Sequence, residues 1–341
     1  MKRISILSFL MSLTISFTLH ATTVLIVPDE YPDISDAADA AQSGDTIFVR
    51  AGTYSFISHI GGTYITLKEN VALLGESNST TFIQALGVGA AFCNAIGAEG
   101  NNLINGFSIE ADGLIIAMIN QTKSITIKNC VLFSHESSLI PYSLRIEGST
   151  VSIRNNRLTG SHLITGMQTI SILHNIFLHE NTGFFANNNT TILSGKGTIR
   201  NNVFYTYNET EYSYRAVIVK PIDHCRFINN ICWENAPSDP MDIEIQDNDL
   251  AEAATITIDY CNLVNNSKLN SASQVTLNFR IHNIAQDPLF YDSDFYNFDA
   301  HLQLGSGCID RGSPLYKDSD GTRSDMGAYG GQKKAISVFK F

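Results

Sequence analysis

The sequence predicts an all-β chain wound as one single-stranded, right-handed parallel β-helix, with a short capping helix at its start. Three observations predict it. The first is a phrase that returns along the middle of the chain: apolar, any residue, Asn, Asn or Cys, then two mostly apolar residues. It occupies 127–132, 153–158, 172–177, 199–204 and 227–232, with a looser copy at 258–263. Its fourth position falls on Cys130, Asn156, Asn175, Asn202 and Asn230, in steps of 26, 19, 27 and 28 residues. A period of that size marks a solenoid.

The second observation is strand alternation before each corner. Val151 and Ile153 point one way, Ser152 and Arg154 the other. The Asn pair then interrupts the alternation, and Asn tolerates the left-handed backbone region that a tight corner needs. The third is negative: no repeat has room for a capped amphipathic helix. Strand, corner, strand and loop, restarted about every 25 residues, stack coil on coil at about 4.8 Å with like residues in ladders. Asn156, Asn202 and Asn230 are expected to form such a ladder, their amides bonding up and down the stack.

Taken in order, residues 1–21 read as a secretory signal peptide. Lys2 and Arg3 precede an apolar run that ends near Ala21. The run is short for a membrane span, and nothing later is long enough for one. Residues 22–60 form an N-terminal cap and first coil. A strand ends at Pro28, Asp33 caps a short helix with Ile34, Ala37, Ala38 and Ala41 on its apolar face, and Gly44 lies just past its end. The coils occupy 61–285, with Gly75 and Gly106 at early corners. Residues 286–341 form a C-terminal capping segment, expected to cover the far edge.

Loss of Lys2 and Arg3 takes the net charge from −11 to −13. An acidic chain argues against nucleic acid and anionic membrane partners, and a monomer is expected. The six cysteines are scattered, without metal-site spacing. Cys232 shares a column with Leu132, Leu158, Phe177 and Phe204, so it reads as a small buried hydrophobe.

VPDEYPDI at 27–34, AADAA at 37–41 and GDTIFVRAGTY at 44–54 resemble the opening of secreted β-helix proteins of the pectin-lyase-like superfamily. DPLF at 287–290, LQLGSGCIDRG at 302–312 and DSDGTRSDMGAYG at 318–330 resemble the close of such proteins. The resemblance implies the fold, export and a polysaccharide or cell-surface glycan as partner. It carries no catalytic motif. An enzyme of this kind would be a lyase or hydrolase acting on an acidic glycan. The alternative is a noncatalytic surface protein that binds glycan.

Three groups of residues can carry such chemistry. In the strand around 241–246, Asp242 and Glu244 share the outward face, with Arg215 and Lys220 about one coil earlier and Arg145 and Glu147 on a previous one. Paired carboxylates can hold Ca²⁺, and Lys220 or Arg215 can take a proton beside it. The bland alternative is a solvated, mixed-charge strand face. Lys128, Arg154 and Arg200 share one repeat position and can track an anionic polymer, unless neighbouring acids and solvent simply absorb their charge. Asp318, Asp320 and Asp325 resemble part of a calcium loop, or else form a plain turn opened by Gly321. His174 and His179 flank one strand and read as structural.

Overall fold

The computed structural model describes residues 22–58, 62–87, 94–135, 142–181, 190–208, 215–234, 241–248, 250, 252–263 and 273–331. Residues 1–21, where a signal peptide is expected, Cys93 and the tail beyond 331 lie outside these. Strand after strand pairs in parallel with the strand one coil on, which makes the molecule a parallel β-helix. Among the described residues no helix is long and apolar enough to cross a membrane.

Each coil has three faces. Val24–Val27 and Thr46–Val49 start the second face, which runs through Ile125–Lys128 to Ala254–Asp259 and Val275–Phe279. Thr63–Leu67, Asn94–Ala98, Ile116–Asn120 and Met241–Ile245 belong to the first face. Four long strands, Leu144–Arg154, His162–Leu173, Thr191–Arg200 and Arg215–Ile228, supply both faces and bend between them. The bend falls where the register shifts, at Gly148, Gly166 and Gly195. The third face runs from Gly52–Ser58 to Asn262–Leu263.

The corner between the second and third faces is where the sequence repeat acts. Its first polar residue takes positive φ in coil after coil: Asn129 53°, Asn155 57°, His174 58°, Asn201 54° and Asn229 58°. Gly106 takes the same place at 85°, and a Cβ there would lie 2.7 Å from the Gly75 carbonyl oxygen. The second residue turns inward. Asn156, Asn175, Asn202 and Asn230 are fully buried. The Asn202 amide donates to Asn230 Oδ1 and to the Ile172 carbonyl, both at 2.9 Å. Its Oδ1 accepts the Asn175 backbone N–H at 2.9 Å and the Asn175 amide at 3.0 Å. Asn156 and Asn175 repeat the pattern at 3.0 Å, so the expected ladder exists and includes Asn175. Each rung satisfies a backbone N–H that the corner removes from the sheet.

Inside, Leu132, Leu158, Phe177, Phe204, Cys232 and Leu263 stack one per coil, the Phe177 and Phe204 rings 4.8 Å apart and parallel. Cys130, Cys225, Cys232, Cys261 and Cys308 are free and buried. The start is capped as expected. Ile34–Ala40 is a helix whose Ile34, Ala37 and Ala38 are buried, and the Asp33 carboxylate accepts the Ser35 N–H.

The C-terminal segment meets the last third-face strand, where Gln286 and Asn262 exchange hydrogen bonds of 2.7 and 3.1 Å. It folds back along the outside of the third face. Phe290, Phe295, Phe298, Cys308, Met326 and Ala328 form a second core with Ile176, Leu178, Val203, Tyr205 and Ile231. These third-face strands are apolar on both sides, so water must be excluded from both. The nearly buried Arg157 donates to the Phe298 carbonyl at 2.7 Å, and Tyr205 donates to that of Ser293 at 2.8 Å.

Candidate functional site

The first face brings part of the expected acid–base group together. Met241–Ile245 pairs with Arg215–Ile228, so Glu244 lies beside Ile218, and Lys220 two residues further along the neighbouring strand. Ile243 and Ile245 point into the core. Glu244 therefore shares the outer surface with Lys220, at a diagonal Cα separation of about 8 Å from strand rise and spacing. The side chains of Asp242 and Arg215 lie outside the described residues. Two outward rows result. One runs Arg145, Leu163, Ile192, Ile218, Glu244; the other runs Glu147, Thr165, Ser194, Lys220.

This surface is not the open strand face expected from alternation. Glu244 is only 6% exposed, Ile218 7% and Ser194 5%, although all three face away from the core. Other parts of the chain therefore cover these outward groups. Glu244 Oε1 accepts from the Gln246 amide at 2.9 Å. Arg145 pairs with Glu147 at 2.8 Å. Asp247 is spent on a turn, accepting the Gln274 N–H at 2.8 Å and the Ser273 hydroxyl at 3.0 Å. The described residues of this face thus bring a carboxylate, an ammonium and an amide together. That set can hold sugar hydroxyls or a sugar carboxylate.

The basic row lies on the second face and is shorter than expected. Lys128 and Arg154 are register neighbours. Leu173 then interrupts, and Arg200 follows it. Arg200 is taken up by the C-terminal segment: its guanidinium lies 4.0 Å from the Tyr316 ring centroid, and burial lowers its pKa. Arg145 is separated from this row by the bend at Gly148.

No family model matches this chain. None of the curated proteins matches it either.

Of the three carboxylates expected in a calcium loop, two come together, with a third acid from outside that set. Asp310, Asp318 and Asp325 converge, with one carboxylate oxygen from each within 4.8 Å of the others. Asp320 is not among them; its carboxylate accepts from the Thr322 N–H at 2.9 Å and hydroxyl at 2.7 Å. Asp318 accepts the Asp325 N–H at 3.0 Å, and Asp325 accepts the Asp310 N–H at 2.7 Å. These acids hold turns against the Asn corner, where Asn201 donates to the Asp325 carbonyl at 3.1 Å. Burial, then neighbouring Asp318 and Asp310, push the Asp325 carboxyl up to about 6.

The histidines are structural, as expected. His162 and His179 are fully buried and share the Thr191 hydroxyl, each at 3.0 Å. Burial pushes His179 down to about 3, and burial followed by the Arg200 charge pushes His174 down to about 4. Sequence reasoning placed Gln246 on the outward face but missed the cover over the first face. Gln246 follows Glu244 at strand spacing and was legible. The cover was not, because periodicity orients a residue without saying what lies over it.

Proposed function

We propose that this chain is an exported β-helix protein of the pectin-lyase-like kind that binds polysaccharide in a cleft on its first face. One observation carries the reading: Glu244 faces outward next to the Lys220 coil, yet is almost wholly covered. An outward carboxylate on a merely solvated strand would be exposed. Stacked coils supply polar groups at a regular spacing along the cleft, which suits a polymer better than a small molecule. Among the described residues the one convergence of three ligating side chains lies in the C-terminal segment.

The test is a panel of pectate, alginate and neutral polysaccharides, with and without Ca²⁺, read by affinity electrophoresis and by the ultraviolet band of a newly formed C=C bond. Retardation by at least one glycan is expected. Lys220→Ala should weaken it about tenfold, the loss of one charged hydrogen bond of roughly 1.5 kcal/mol, with little change in melting temperature. Unsaturated product lost in Lys220→Ala would make the protein a lyase with Lys220 as its base. No retardation by any glycan, or equal retardation of the variant, sinks the cleft reading.

A further inference from the structure

A second site lies on a different face from this cleft and does not depend on it. A depression of about 470 Å³ opens on the second face. Asn101, Leu103, Ser124, Thr126, Lys128 and Arg154 are among its lining residues. All of them come from three successive coils, whose strands pair Leu103 with Thr126, Asn105 with Lys128, and Lys128 with Arg154. Lys128 and Arg154 therefore stand about 4.8 Å apart at their backbones.

Two like charges that close repel, and a protein of net charge −11 has acids to spare for neutralising them. None is used. Among the described residues, neither Lys128 nor Arg154 makes a salt bridge. Four other lysines and arginines do: Arg50 with Asp29, Lys123 with Glu69, Arg145 with Glu147 and Lys196 with Asp223. Arg154 is held only by its own strand, donating to the Ser152 hydroxyl at 3.0 Å. The rest of the lining mixes the polar groups of Asn101, Ser124 and Thr126 with apolar surface that includes Leu103. The outer corner beside it carries a chain of amides, Asn155 to Asn129 at 3.3 Å and Asn129 to Asn105 at 2.7 Å. Toward the C-terminus the depression is bounded by Leu173 and by Arg200 under Tyr316.

We infer that this depression is a binding site for the acid groups of an acidic polysaccharide, whose chain crosses the strands along the solenoid axis. The two cations lie side by side across strands, so acid groups on neighbouring sugars meet them only in that direction. The site spans three coils, about 10 Å at the usual spacing, which limits it to a short stretch of chain. Such a contact anchors the protein to an acidic glycan, while the first-face cleft remains free.

The test uses the full exported chain with three probes: polygalacturonate for carboxylates, dextran sulfate for sulfate esters, and unmodified dextran. Variants are Lys128→Gln with Arg154→Gln, and separately Lys220→Ala. At least one acidic probe is expected to bind, more weakly as salt rises, and dextran should not compete. The double variant should lose about tenfold or more in affinity for that probe with its melting temperature unchanged. The Lys220→Ala variant should keep the binding component that the double variant loses. Binding in the double variant equal to the parent's overturns the inference, as does equal competition by dextran. Duplex DNA binding as tightly, and falling in parallel, would mean a general polyanion site and overturn the glycan assignment. Loss of salt-sensitive binding only in Lys220→Ala would place all glycan contact in the first-face cleft.

Discussion

At the scale of the residue, the Asn ladder is the most exposed to test. Asn202 both donates and accepts toward its neighbours, so Asn202→Ile orphans the Asn175 backbone N–H and removes the amide donor of the Ile172 carbonyl inside the coil. A buried orphan costs about 1–3 kcal/mol, and chemical denaturation should show a loss of at least that size. A variant that unfolds with the parent would show that the ladder carries no stability there. The histidines give a pH dependence of definite sign. Their folded pKa values lie below the unfolded value of about 6.5, so their contribution is present above that pH. It is lost as pH falls, through about 4 for His174 and about 3 for His179. His174→Asn installs the residue that its corner uses in other coils, and should flatten the acid limb by about one proton, or about 1.4 kcal/mol per pH unit. Asp325 runs the other way. Its carboxyl is raised, so stability is greatest at low pH and is lost as pH rises through about 6. Asp325→Asn keeps an acceptor for the Asp310 N–H and should raise the melting temperature at pH 7–8 but not near pH 4. A lower melting temperature at neutral pH, in a parent that a chelator also destabilises, would mean that a cation holds these carboxylates.

At the scale of the element, the C-terminal segment decides which strands survive as strands. Ile176, Val203 and Ile231 face outward on the third face, directly beside inward Phe177, Phe204 and Cys232. A strand apolar on both sides is stable only when both sides are covered. The cover is built on Phe298, fully buried and stacked 4.4 Å from Tyr205. Phe298→Ala should cost about 3–5 kcal/mol and expose the segment to limited proteolysis before the coils. Proteolysis that spares the segment in this variant would mean that the polar contacts of Arg157 and Asn201 hold it alone. This docking was partly legible in the sequence. The adjacent apolar pair at the third-face strand was visible in four of the six copies of the repeat, and it asks for a second cover. What was not legible was which segment supplies it. Periodicity reports a residue's neighbours one coil away, whereas Arg157 and Phe298 meet across 141 residues. The same limit explains the sites. Alternation placed Glu244 with Lys220 and Lys128 with Arg154, but could not see the cover over Glu244 or the Tyr316 ring that removes Arg200 from the basic row.

At the scale of the whole molecule, stability is distributed by position along the axis. Each coil contacts mainly its two neighbours, so a solenoid's stability is close to a sum of coil and interface contributions, and its ends open first. Here the sum is uneven. The coils from Leu144–Arg154 to Arg215–Ile228 have the long paired strands, the Asn156 to Asn230 ladder, and the C-terminal segment along one side. Val275–Phe279 ends the second face, with no further strand paired beyond it among the described residues, and Phe279 is 37% exposed. Thr63–Leu67 and Asn94–Ala98 lie outside the reach of both the ladder and the C-terminal segment. Native-state amide exchange should therefore be slowest in His162–Leu173 and Thr191–Arg200. It should be intermediate in Asn94–Ala98 and fastest in Val275–Phe279, because opening an end strand breaks one interface while opening a central one breaks two and undocks the cover. Phe298→Ala should then erase the advantage of the central coils without speeding the N-terminal ones. Equal protection along the chain would show instead that the coils open as one cooperative unit, and the additive picture of this solenoid would fail.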